Sequence, residues 1–125
     1  MPKSIQKTPK KTNSFIDWLL LDIFYHLPEV SVRAMFGGYG MYSKGRIFGI
    51  IVQNKLYLKV DASNRADYEK AGSKPFQYRK NDGTAVSMSY WQIPDDILEH
   101  PEQAQVWAQK SILIPTKHTS KPRQF

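Results

Sequence analysis

Cysteine is absent from the 125 residues, which excludes a disulfide-stapled scaffold, a thiolate metal site and a cysteine nucleophile. A reducing, cytoplasmic setting is the expectation. Long apolar runs are missing too. In the strand-rich part, stretches such as Phe48 to Val52 fall far short of the ~18–20 residues that span a bilayer, so no membrane segment is expected. The basic N-terminus has no small-residue cleavage site after it and does not read as an export signal. Carboxylates are lacking at both ends. Residues 1–13 carry Lys3, Lys7, Lys10 and Lys11, and residues 115–125 carry Lys117, Lys121 and Arg123, with no acid in either stretch. The whole chain has eighteen Lys and Arg against eleven Asp and Glu, a net charge of +7. The entire excess therefore sits in the two ends, and residues 14–114 are neutral.

A chain of this length holds one core of ordinary size. Both ends are rich in Lys, Pro, Ser and Thr and bury too little apolar surface to offset the entropy of ordering, so they read as mobile tails around a domain at 14–114. Ser14 is placed to cap a helix over 15–27, ended by Pro28. That helix is apolar almost all round, with Asp17, Asp22 and His26 its polar positions. Strands are expected over 32–36, 39–43, 47–53 and 56–60, joined by turns too short for anything but antiparallel neighbours. Asp61 is a candidate cap for a short surface helix through Ala71, with Gly72 as its left-handed stop. Phe76 and Tyr78 alternate with polar residues before Asn81-Asp82-Gly83, as do Val86, Met88 and Tyr90 after it, which predicts a second hairpin. Pro94 opens a helical turn to Glu99, and Pro101 starts a last helix to about Leu113. No internal repeat is present. The order α-β(3–4)-α-β(2)-α predicts a two-layer α+β fold with an antiparallel sheet of five to six strands.

Few residues suggest chemistry. Gly37, Gly38 and Gly40 have neither the spacing nor the following helix of a phosphate-binding loop, and a tight turn or bulge is the better reading. Asp22 and His26, four apart on a helix, read as a solvated pair. His26, His100 and His118 fall on separate elements, so no metal, cofactor or catalytic residue is expected. Trp91 shares a strand face with Ser87 and Ser89, where a helix covering it is weighed against a partner anchor. Phe36, Tyr39, Tyr42, Phe48, Tyr57 and Tyr78 interleave with Arg33, Arg46, Lys59 and Arg79. Stacking of single-stranded nucleic acid is one use of such a pattern, but in a neutral domain core packing is expected for most of the rings.

The segments Arg33-Ala34-Met35-Phe36-Gly37-Gly38-Tyr39-Gly40-Met41-Tyr42, Phe48-Gly49, Leu56-Tyr57-Leu58-Lys59-Val60-Asp61, Pro75-Phe76, Ser87-Met88-Ser89-Tyr90, Pro94 and Trp107, in this order, resemble the N-terminal domain of the TfoX/Sxy family of competence regulators. The resemblance implies a secretion-chaperone-like α+β fold and a bacterial cytoplasmic protein without enzymatic activity. It also implies action on transcription together with the cyclic-AMP receptor protein or RNA polymerase. Full-length members continue into a second helical domain, whereas this sequence ends at Phe125. Trp18, Arg33, Phe36, Gly37, Gly38, Tyr39 and Trp91 are the candidate partner contacts. A homodimer through the apolar first helix is expected. The seven tail cations are candidates for weak, salt-sensitive nucleic-acid contact, and a small-molecule-binding domain is a further alternative.

Overall fold

The structure, a computed structural model, describes residues 14–35 and 37–115. Ser14 is itself the first helical residue of α1 (Ser14–Trp18), which widens into a π-helical turn over Leu19–Ile23. The helix expected to reach Leu27 therefore ends early. The Phe24 amide bonds back to the Leu19 carbonyl at 2.7 Å, and this i→i+5 turn brings residues four and five apart onto one side. Leu19, Ile23 and Phe24 are all buried as a result, and the chain then bends to bury Leu27 as well. Together these four side chains contribute roughly 6–12 kcal/mol of burial, more than the roughly 2–5 kcal/mol of the three or four backbone bonds of one further turn.

Six strands follow in one antiparallel sheet: β1 (Val30–Met35), β2 (Gly38–Ser43), β3 (Arg46–Val52), β4 (Lys55–Lys59), β5 (Pro75–Arg79) and β6 (Ala85–Gln92). Their spatial order is β1-β2-β3-β4-β6-β5, which gives the α+β fold expected from the sequence. Lys44-Gly45 and Gln53-Asn54 close two-residue hairpins with every residue at positive φ, the backbone that matches strand twist. A register shift between β2 and β3 pairs Met41 with Gly49 but Tyr42 with Ile47. The extra residue is Phe48, which joins the core. Helix α2 (Arg65–Lys70) starts at Asn64, not at Asp61. Asn64 is buried; its Oδ1 accepts from the Asp61 amide at 2.9 Å and its Nδ2 donates to the Lys59 carbonyl at 3.1 Å. Gly72 takes the left-handed stop, at φ 78°. Helices α3 (Asp95–Leu98) and α4 (Pro101–Ile112) complete the chain, with Pro101 in the first turn of α4 as expected.

Candidate functional site: the uncovered sheet face

Residues directly opposed in an antiparallel ladder share a face, so two neighbouring rows define both sides of this sheet. Val32, Met41, Gly49, Leu58 and Trp91 form one row across five strands, and Arg33, Gly40, Ile50, Tyr57 and Gln92 form the next. The first row meets the helices: Met41 and Leu58 belong to the core with Leu19, Phe24, Tyr68, Ala104 and Ala108, and Val32 and Trp91 pack against it. On the second side no helix lies over the strands among the described residues. Ile50, at its centre, is only 6% exposed and yet stands outside the core cluster.

By this alternation the uncovered face carries Tyr42, Tyr57, Phe76, Tyr78 and Tyr90. Phe76 and Tyr57 meet edge to face, 5.0 Å between centroids. Met35 and Tyr78 are 44% and 45% exposed, large apolar surfaces left to solvent. Arg33 lies over the Tyr42 ring, 5.0 Å from its centroid, a cation–π arrangement. Gly40 leaves room for this cluster, because a Cβ there would press on Tyr42, Met35 and Ile47. The neutrality of the domain hides a segregation of charge. The six strands contain Arg33, Arg46, Lys55, Lys59 and Arg79 and not one carboxylate. All eleven acids lie on helices and connecting segments.

At the end of the sheet nearest Ile114 and Pro115, residues of β2, β3, β4 and β6 border an open groove of about 690 Å³. Its lining includes Tyr42, Arg46, Ile47, Lys59, Met88 and Tyr90. Burial and the neighbouring Arg46 guanidinium hold the Lys59 ammonium below its ordinary pKa, with Asp61 acting in the opposite sense. Burial, with a smaller effect of Tyr42, pushes the Tyr90 phenol up.

The expected contact residues divide between the two sides. Arg33 is exposed on the uncovered face, whereas Tyr39 and Trp18 pack against the core from the helix side. Trp91 is half-buried under α2, 6.3 Å from the Tyr68 ring and 5.6 Å from the Arg65 guanidinium, so a helix covers it. Gly37 is an exposed turn residue at φ 81°. At Gly38 a Cβ would run into the Ile51 carbonyl oxygen, so this glycine serves strand approach. Phe36 and the cations Lys3, Lys7, Lys10, Lys11, Lys117, Lys121 and Arg123 lie outside the described residues. Asp22 and His26 do not pair on one helix face: His26 lies beyond the helix and meets Tyr25 edge to face, ring centroids 4.3 Å apart. Among the described residues no cluster of His, Asp or Glu has the geometry of a metal site, and no helix is long and apolar enough to cross a membrane. Core packing claims Phe48 and Tyr39, while Tyr42, Tyr57 and Tyr78 stand on the open side. That corrects the expectation for the rings, because alternation shows that two faces differ but not which one helices cover.

Over residues 22–113 the sequence matches the model of the TfoX N-terminal domain family. The chain belongs to that family. No curated protein matches it. Membership places the chain in a competence-related family, and four of the five open-face rings, Tyr42, Tyr57, Phe76 and Tyr90, fall in the segments that carry the TfoX resemblance.

Proposed function

We propose that this TfoX-family domain is a non-enzymatic accessory regulator of transcription that docks its uncovered sheet face on an acidic protein surface. The carrying observation is a six-stranded sheet with aromatic rings and cations on its open side and no carboxylate in any strand. Aromatic side chains and arginine are the residue types that dominate docking energetics, and the one-signed charge steers an acidic partner and rejects a basic one. Components of the transcription machinery, the cyclic-AMP receptor protein and RNA polymerase, are the partners the family suggests. A second copy is a poor occupant of this face, since it would bring Arg33 and Lys59 of both copies together with no acid to meet them.

The test is retention of purified receptor protein and polymerase by the full immobilised chain, compared with an Arg33→Glu/Tyr78→Ser variant. Retention by the parent chain that the variant loses, and that weakens with salt, is the expected result. Retention of neither protein above background, or equal retention by the variant, overturns the reading. A homodimer is a separate proposal. Its surface would be the N-terminal helix, whose exposed apolar residue is Leu21, with Tyr25 beside it, rather than Trp18. A monomer in light scattering at high concentration would refute it.

A further inference from the structure

We propose that the groove lined by the cross-strand neighbours Lys59 and Tyr90 is a binding site for a phosphomonoester on a flat ring, of the size and chemistry of a nucleoside monophosphate. The inference does not rest on protein docking and stands if that reading fails.

Lys59 provides the anchor. Its backbone is fixed from the helix side, its carbonyl accepting from Asn64 Nδ2 at 3.1 Å and from Ser111 Oγ at 2.7 Å, so the side chain leaves a rigid point toward the open face. Its side chain is partly buried, and neither ion pair among the described residues involves its ammonium. Arg46 is a second cation on the lining, tethered by Nη2 to the Ile112 carbonyl at 3.1 Å. Two like charges, one partly desolvated, disfavour each other. The single carboxylate on the lining, Asp61, accepts from the Ser63 amide at 2.8 Å and the Ser63 hydroxyl at 2.6 Å, and its charge offsets part of the effect of Arg46 on Lys59.

An anion that met both cations would remove this cost, and its charge and size can be narrowed. A carboxylate brings one negative charge, whereas a phosphomonoester brings roughly 1.5–2 at pH 7 and three acceptor oxygens. The lining also holds the hydroxyl-bearing residues Tyr42, Tyr90, Ser87 and Ser89, which suit a group that only accepts. Ile47, Met88 and the rings of Tyr42 and Tyr90 supply apolar lining for the body of the ligand. A groove of about 690 Å³ falls within the roughly 300–1,000 Å³ of small-molecule sites, more than bare phosphate fills. Two sources present this chemistry: a free mononucleotide and the 5′-phosphorylated end of a single strand.

The full chain is titrated with AMP, adenosine, inorganic phosphate, and a short oligo(dA) with and without its 5′-phosphate, followed by amide chemical shifts and thermal stabilisation. AMP is expected to bind at least about tenfold more tightly than adenosine or phosphate, a difference of ~1.4 kcal/mol or more, with shifts centred on Lys59 and Tyr90. Lys59→Gln is expected to lose about tenfold or more in AMP affinity. Lys59→Arg, which keeps the charge, should retain it, and Tyr78→Ser at the distant sheet edge should not change it. Phosphorylated oligonucleotide binding better than AMP identifies a strand end as the source, and equal binding identifies the free nucleotide; both uphold the site. Adenosine matching AMP, no AMP binding at millimolar concentration, or Lys59→Gln binding AMP like the parent overturns it. Because Lys59→Arg retains the fold's contacts and the charge together, its loss of AMP binding also counts against the proposal.

Discussion

The Arg46 guanidinium, on the first residue of β3, donates to the Ile112 carbonyl at the last turn of α4, 3.1 Å away. One side chain thus ties the rim of the open groove to the C-terminal helix that covers the other face. A cation at a helix C-terminus meets carbonyls left without intrahelical partners and the negative end of the dipole. Because the contact is exposed, its contribution is modest. Arg46→Ala is expected to lower stability by about 1 kcal/mol, read as a shift in urea midpoint with an unchanged slope.

Tyr68 is 1% exposed and its hydroxyl closes no hydrogen bond, the nearby Ser111 hydroxyl donating instead to Lys59. Tyr68→Phe should therefore be neutral within about 1 kcal/mol near pH 7. Burial pushes this phenol well above its ordinary value of 10.0. With the folded pKa raised, its share of stability is complete below the unfolded value and is lost as pH rises beyond it, where the unfolded chain ionises first. Melting curves from pH 8 to 11 should fall more steeply for the parent than for Tyr68→Phe above pH 10.

Gly38 pairs with Met35 at the start of β2 and faces the Ile51 carbonyl too closely for any Cβ. Backbone cannot give way as a flexible side chain can. Gly38→Ala should cost about 1–3 kcal/mol, while Gly45→Ala in the open turn should be felt only through its positive φ. Denaturant unfolding of the two variants compares a steric cost with a conformational one.

Trp91 distinguishes cover from anchor. Since it packs between Tyr68 and Arg65, Trp91→Ala should destabilise by about 2–4 kcal/mol and lower the melting temperature. An unchanged melting temperature would restore the anchor reading.

Asn64 makes two buried bonds that hold the turn after β4. Asn64→Ala strands the Asp61 amide and one acceptor site on the Lys59 carbonyl, for an expected loss of about 1–3 kcal/mol. Hydrogen exchange should accelerate at Asp61 ahead of the core strands.

Much of the architecture could be read along the chain, because the signals involved are local. Lys44-Gly45, Gln53-Asn54, Gly72 and Pro101 act through their own φ or missing N–H, and each lies where that chemistry demands. Alternation in β6 likewise separated Val86, Met88 and Tyr90 from Ser87, Ser89 and Trp91. The first helix was misjudged over its second half, since a π turn at Leu19–Ile23 is selected by what the core accepts from Ile23, Phe24 and Leu27 together. Asp61 is the cap that the residue types suggest, and only the fold of the loop shows the helix starting after Asn64, whose side chain reaches back to Lys59.

By itself the sequence determined the element order, the turns, the family and the neutrality of residues 14–114, all properties of composition or short spacing. Tertiary structure alone decided which sheet face the helices cover, and hence that Tyr42, Tyr57 and Tyr90 stand on the open face while Trp91 lies under α2. It also decided that the strands carry cations and no acid, and that Arg46 and Lys59, thirteen positions apart, share one groove. Those relations follow from register across strands and from helix packing, which bring together residues that no local pattern connects.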